Sequence, residues 1–235
     1  MWYIQTINDA DPCRLQAQYL DGTIDTTRTI HFKPSSSTPA QRRAYTRVLQ
    51  GHIAISTSIF PSTTTGQTLD AFARQKLWLD GLDYMHGTGH GVGSFLNVHE
   101  GPQGISKGST EALRVGQTTS NEPGFYAEGE FGIRIESVLV VQHVETRAAF
   151  GGDVWLGFER LTQVSRFGLV LDRGTDTLAI QVPIQHDHFL DKSLMTSDEL
   201  HWLKAHNRSC REKLLPFLQG REDKRARRWL KEACP

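Results

Sequence analysis

Three histidines, His86, His90 and His99, fall within fourteen residues of one another in a glycine-rich stretch, His86-Gly-Thr-Gly-His90-Gly-Val-Gly93, continued by Asn97-Val-His99-Glu100. Glycine lets a backbone approach a ligand closely, and a packed core accounts poorly for three imidazoles in so irregular a segment. Carboxylates recur on either side. Glu122 stands before a Pro-Gly turn in Asn121-Glu-Pro-Gly124, and Glu136 interrupts the apolar run Gly132-Ile-Arg-Ile-Glu-Ser-Val138. Asp25 ends Asp21-Gly-Thr-Ile-Asp25. Each has a plain reading. Asp21-Gly22 is a turn, Glu122 sits on a surface turn, and Arg134, two residues from Glu136 on the same strand face, offers it an ion pair. Together they form an oxygen-rich ligand set with an imidazole, which suits a hard or borderline cation, Mn²⁺ ahead of Zn²⁺. Carboxylates able to bridge suit two-metal hydrolysis.

These residues need elements to position them. Thr and Ile density predicts two short strands around Asp21-Gly22, the second from about Ile24 to Phe32, followed by a loop over Lys33 to Ser37. Thr38-Pro39-Ala-Gln41 reads as a capping box with proline at the first helical position, opening a helix whose buried face carries Tyr45, Val48, Leu49, His52 and Ile53. A second helix spans about Leu69 to Leu79, with Leu69, Phe72, Ala73 and Leu77 inward and Gly81 as its stop. Gly132 to Val141 reads as one long strand. Thr196-Ser-Asp-Glu199 opens a tail helix with Leu200, Leu203, Cys210 and Leu214 on one face, which Pro216 ends or kinks. A last helix spans about Glu222 to Leu230. No internal repeat is present.

With 26 basic and 26 acidic residues in 235, and 38% hydrophobic content, the composition is that of a folded globular chain and excludes a disordered polyelectrolyte. Balanced charge provides no basis for a nucleic-acid partner. The basic stretch from Arg221 to Lys231 lacks interleaved aromatics other than Trp229 and reads as a solvated helix face. No apolar run reaches the ~18 residues of a membrane span, and Met1 to Asp11 does not read as a secretory signal. Cys13, Cys210 and Cys234 have neither zinc-site nor disulfide-framework spacing, which fits a reducing, cytoplasmic setting.

The three motifs around the histidines, Glu122 and Glu136, with Asp21-Gly-Thr-Ile-Asp25-Thr-Thr-Arg-Thr29 in the same order, resemble those of the pita-bread metallopeptidases. Gly89-His-Gly-Val-Gly-Ser-Phe-Leu-Asn-Val-His-Glu-Gly101 and the tail from Val182 resemble the eukaryotic cytosolic X-prolyl aminopeptidase branch, aminopeptidase P. The resemblance covers about residues 16 to 163 and 182 to 235. It implies an α/β (α+β) pita-bread core, residues 1–163 and N-terminally incomplete, with a C-terminal helical extension, residues 182–235. It also implies two manganese ions and a metal-bridged hydroxide that removes an N-terminal residue preceding proline. Asp25, His90, Glu122 and Glu136 would be metal ligands, with Asp25 and Glu136 bridging and Glu122 also the general base. His86 and His99 would line the substrate site, and Arg134 would orient carboxylates. The partner implied is a peptide with proline second, together with a homodimer supported by the tail.

The chain departs from the family's pattern in two places. Arg14, in Arg14-Leu-Gln-Ala-Gln-Tyr19, stands where the family has a further ligand Asp, which leaves one cation or none at this site. A further substrate histidine and the family's N-terminal half would lie before Met1. Residues 164–181 separate Leu161-Thr-Gln163 from Val182-Pro-Ile-Gln185, either as an unspliced intron or as a surface hairpin around Arg173-Gly174. Two functions compete: a Xaa-Pro aminopeptidase, and a catalytically impaired pita-bread fragment acting as a binding module or without activity. Prolidase and methionine aminopeptidase fit the His99 context and the tail less well.

Overall fold

The computed structural model describes residues 3–4, 10–19, 22–31, 36–148, 150–152, 154–162, 183–185 and 189–234, with the backbone alone for 3–4 and 10–19. The turn at Asp21, most of the Lys33 to Ser37 loop, the 164–181 segment and Val182 lie outside the described residues. The strands are β1 (Tyr3–Ile4), β2 (Ala10–Tyr19), β3 (Gly22–His31), β4 (Ile59–Pro61), β5 (Gly89–His90), β6 (Gly104–Ile105), β7 (Thr118–Asn121), β8 (Gly124–Ala127), β9 (Phe131–Arg134), β10 (Ser137–His143) and β11 (Trp155–Arg160). The helices are α1 (Pro39–Ser56), α2 (Gly66–Trp78), α3 (Ser197–Leu214) and α4 (Lys224–Ala233). Strands pair antiparallel in a three-stranded sheet, β1-β2-β3, a four-stranded sheet, β4-β11-β10-β7, and two ribbons, β5-β6 and β8-β9.

Helix α1 starts as its capping box dictates. The Thr38 hydroxyl accepts from the Gln41 N–H while the Gln41 side chain accepts from the Thr38 N–H, and Pro39 occupies the first turn. Its expected face is buried, and it divides two apolar clusters. Tyr45, Val48, Leu49 and Ile53 pack with Leu77, Tyr84, Ile133, Ile135, Phe189 and Leu203, whereas Ile55 joins Phe60, Leu69, Ile105, Leu139 and Leu156. A helix buried along so much of its length, against α2, α3, the four-stranded sheet and the β8-β9 ribbon, fixes their spacing.

Three expectations need correction. The hairpin strands are not short: β2 and β3 pair over ten residues each, and β2 begins well before Tyr19. Ala-Asp-Pro-Cys-Arg lacks strand character of its own, and its partner strand imposes it. The α2 face carries Leu69, Asp70, Ala73, Arg74 and Leu77, while Phe72 is 45% exposed. A buried i,i+4 ion pair, Asp70–Arg74 at 2.8 Å, takes the place assigned to Phe72. Gly132 to Val141 is two strands, β9 and β10, broken at Ile135-Glu136, because the Glu136 N–H leaves the ladder to donate to the Thr27 carbonyl of β3 at 2.9 Å.

The tail follows its signals closely. Thr196 and Glu199 form the capping box of α3, which ends at Leu214, and Pro216 sits in the 3₁₀ turn that follows. Leu203 is buried on the core and Leu200 half-buried against it. Cys210, Leu230 and Cys234 form a small cluster with Leu214 beside it. Helix α4 runs from Lys224 to Ala233, offset from the expected Glu222 to Leu230. No helix among the described residues is long and apolar enough to cross a membrane.

Candidate metal centre and substrate cleft

Asp25, His90, Glu122 and Glu136 come from β3, β5, the turn between β7 and β8, and the break between β9 and β10. The structure brings them together. Ligand atoms of His90, Glu122 and Glu136 lie within 4.8 Å of one another, and so do those of Asp25, His90 and His99. Asp25 and Glu136 are wholly buried and Glu122 nearly so.

Each side chain is held by its neighbours. His90 lies on a strand flanked by Gly89 and Gly91, where a Cβ would come within 2.0 Å of the Ser120 carbonyl and 1.8 Å of the Glu100 carbonyl. The spacing Gly-His-Gly is what admits this close strand packing. His90 Nδ1 stands 2.9 Å from the Gly91 carbonyl, which can only accept, so Nδ1 carries a proton and Nε2 is the nitrogen turned inward, a ligand atom once its own proton is lost. Nε2 lies 3.3 Å from Asp25 Oδ2 and 3.2 Å from Glu122 Oε1. The buried hydroxyl of Ser120 links the group, accepting from the His90 N–H at 2.9 Å and donating to Glu122 Oε1 at 3.0 Å. The Glu122 N–H donates to the Thr88 carbonyl at 2.7 Å. Glu136 Oε2 accepts from the Thr27 hydroxyl, and the Glu136 carbonyl accepts from buried Arg28.

Burial and charge make this cluster unstable without a cation or a proton. Desolvation, reinforced by Glu122 and Asp25, pushes the Glu136 carboxyl up to about 8. Burial opposes charge on His90, but Asp25 and Glu122 outweigh it and raise the imidazole to about 10. His90 Nε2 and Glu136 Oε1 are buried and make no hydrogen bond among the described residues. These two ligand atoms, clustered with Glu122 and beside Asp25, fit a divalent cation, which would replace the proton and compensate the charge.

An open cleft of about 380 Å³ abuts this cluster, lined by His86, Gly87, Gly89, His90, His99, Glu122 and Arg134. The exposed His99 ring meets the His90 ring edge to face at 4.2 Å. His86 donates from Nδ1 to the Gly87 carbonyl at 2.8 Å, so its Nε2 accepts from the Tyr126 hydroxyl at 3.0 Å. Arg134 Nε donates to that hydroxyl at 2.7 Å, and Nη1 lies 3.6 Å from Glu122 Oε2. Arg134 therefore pairs with Glu122 across the β8-β9 ribbon rather than with Glu136, its sequence neighbour. The kink after β9 takes Glu136 away from the face of Arg134.

Sequence reasoning passed over Ser120, Thr27, Arg28 and Tyr126. Thr27 and Arg28 lay inside a quoted motif, but a hydroxyl or guanidinium in a strand carries no local sign of its partner 109 or 108 residues away. The backbone register sets Arg14 opposite Thr27, and Gln16 opposite Asp25.

Residues 9–143 match metallopeptidase family M24, and residues 179–235 match the C-terminal region of peptidase M24. The chain belongs to metallopeptidase family M24. It is 48% identical over 225 residues to a probable Xaa-Pro aminopeptidase P of Laccaria bicolor, covering 94% of this chain and 32% of that one, and 47% identical over 222 residues to its counterpart in Coprinopsis cinerea, covering 93% and 32%. The chain thus spans about a third of the length of the curated relatives it matches. Among solved structures, the X-prolyl aminopeptidase from Caenorhabditis elegans, described as a cytosolic enzyme with a di-nuclear active site, superposes with a TM-score of 0.80 at 34% identity, covering 96% of this chain and 33% of that one. The prolidase from Pyrococcus furiosus superposes with a TM-score of 0.54 at 30% identity, covering 67% of this chain and 42% of that one.

Proposed function

We propose that this chain carries the catalytic region of a metal-dependent aminopeptidase that removes an N-terminal residue preceding proline. The observation that carries the reading is a pair of ligand clusters, His90–Glu122–Glu136 and Asp25–His90–His99, joined through His90 beside a histidine-lined cleft, with His90 Nε2 and Glu136 Oε1 making no hydrogen bond among the described residues. The relatives named for Xaa-Pro cleavage, and the longer superposition on the X-prolyl aminopeptidase than on the prolidase, support the substrate class.

In this reading His90, Glu122, Glu136 and Asp25 hold the cation, which we take to be Mn²⁺ because the set is three carboxylates and one imidazole. Bound there, the cation would supply Lewis-acid charge and lower the pKa of a water. Glu122 would act as general base, holding a proton on its carboxylate and releasing it to the leaving proline nitrogen. Arg134 holds the Glu122 carboxylate toward the cleft. His86 keeps a neutral imidazole, lowered by burial and by Arg134 though its bond to Gly87 opposes this, and lines the substrate site together with His99. Residues 1–163 form the catalytic region and 182–235 the helical extension, which supports a homodimer. A cytoplasmic location accords with the cytosolic C. elegans relative.

The test is Mn²⁺ titration of this chain with hydrolysis of a Xaa-Pro-Xaa tripeptide measured alongside. Cation-dependent release of the first residue, abolished in Glu122→Gln, is the expected result. Tight Mn²⁺ binding without hydrolysis would favour the second reading, a metal-binding module, to which the Arg14 substitution points.

A further inference from the structure

Outside the metal centre, the most completely built polar network surrounds Arg74 on α2. All five of its donors are used. Nε and Nη2 grip the Asp70 carboxylate at 2.8 and 3.2 Å, and Nη1 reaches Asp83 Oδ1 at 2.7 Å. The remaining two bond backbone carbonyls of the loop, Tyr84 at 2.6 Å and His86 at 2.8 Å. The guanidinium lies 3.9 Å from the centre of the Tyr84 ring and is 2% exposed. Asp70 extends the network. Its Oδ1 accepts from the Thr88 hydroxyl at 2.6 Å, and that hydroxyl is 2.5 Å from the Tyr84 hydroxyl. The Thr88 carbonyl in turn receives the Glu122 N–H.

We propose that Arg74, braced by Asp70, is a positioning residue that sets the Tyr84–Thr88 loop so that His86 faces the cleft and Glu122 is held from below. Burying a guanidinium is a poor way to gain stability, since apolar side chains of the same volume serve as well or better. Its planar fork, however, can hold two loop carbonyls and a carboxylate in one fixed geometry, which neither lysine nor a hydrophobe can do. The segment so held contains one site residue, His86, leads directly to another, His90, and is outside any strand until Gly89. The inference rests on the aminopeptidase reading for its catalytic consequence, but the loop's dependence on Arg74 is independent of it.

The experiment measures amide hydrogen exchange of residues 84–91 against α1, with Mn²⁺ titration and Xaa-Pro hydrolysis, in wild type, Arg74→Lys and Thr88→Val. Arg74→Lys should raise exchange of 84–91 at least tenfold while α1 changes less than twofold, and should weaken Mn²⁺ binding severalfold through Glu122. Hydrolysis should fall at least tenfold in kcat with KM within threefold, and Thr88→Val should show the same pattern more weakly. If Arg74→Lys does not fold, the double variant Asp70→Leu/Arg74→Met, which leaves no buried charge unpaired, takes its place. Unchanged exchange of 84–91 in folded variants, or equal acceleration of that segment and α1, overturns the proposal. Absence of hydrolysis in the wild type would reject the aminopeptidase reading and leave the exchange and Mn²⁺ measurements to decide the role of Arg74.

Discussion

At the scale of single residues, the centre is defined by what its charges lack. Three carboxylates gather around one imidazole, and His90 Nε2 and Glu136 Oε1 make no hydrogen bond among the described residues. A cation bound only by the folded chain raises its stability by about 2.7 kcal/mol at a hundredfold excess over Kd. For a domain of this size that is a rise of roughly 5–10 °C in Tm. Mn²⁺ should produce such a shift, EDTA should reverse it, and Glu136→Gln should cut it by more than half in a thermal melt. Arg14 stands opposite Thr27, the residue whose hydroxyl holds Glu136, two positions along the strand from the partner of Asp25. We expect Arg14→Asp to raise the Mn²⁺ retained after dialysis from at most one equivalent toward two. Two equivalents in the unaltered chain would show that Arg14 does not disturb the centre.

At the scale of elements, α1 is tied to the end of α2 through Asp80. Its carboxylate takes Arg47 Nε at 2.7 Å and Arg43 Nη2 at 2.5 Å. These bonds, Arg47 first, hold the Asp80 carboxyl down to about 2 from an ordinary 3.8. A depressed carboxyl contributes stability above its unfolded pKa and loses it as pH falls through the folded one. The contribution is therefore complete above about pH 4 and disappears toward pH 2, and it amounts to roughly 2 kcal/mol. Asp80→Asn should lower Tm at pH 7 by about 4–8 °C and remove that part of the acid transition. Thr38→Ala, which breaks the capping box, should cost about 1 kcal/mol in a denaturant titration and leave Mn²⁺ binding unchanged.

At the scale of the whole molecule, the tail closes the core instead of merely following it. The Phe189 ring sits 4.3 Å from that of Tyr45 and 5.3 Å from that of His31. The Asn207 side chain bonds both the N–H and the carbonyl of Ile184, and the Trp202 ring covers that of His52 at 6.0 Å. Leu203→Ala should cost about 2–5 kcal/mol, the range for a buried leucine. A chain ending at residue 162 exposes the Tyr45 face of α1, and it should express as aggregate or lack a cooperative melt. A soluble, cooperatively folding truncation would show that the extension is dispensable.

The sequence by itself determined what local chemistry encodes. The capping boxes at Thr38 and Thr196 start their helices where Thr, Pro, Gln and Glu predict, because the bonds they make span three residues. The ligand-type residues stood out because carboxylates and imidazoles in tight glycine or proline frames are costly without a task. Their convergence was inferred from family likeness, since no spacing in the chain links Asp25 to Glu136. Tertiary structure alone decided the partners: Arg134 chose Glu122 over Glu136, Thr27 and Arg28 reached across more than a hundred residues to Glu136, and β2 became a strand only by pairing with β3. It also turned Asp70 and Arg74 inward and Phe72 outward, because a buried ion pair is settled by the loop carbonyls it meets. The 3.6-residue period that marks apolar faces is blind to such pairs.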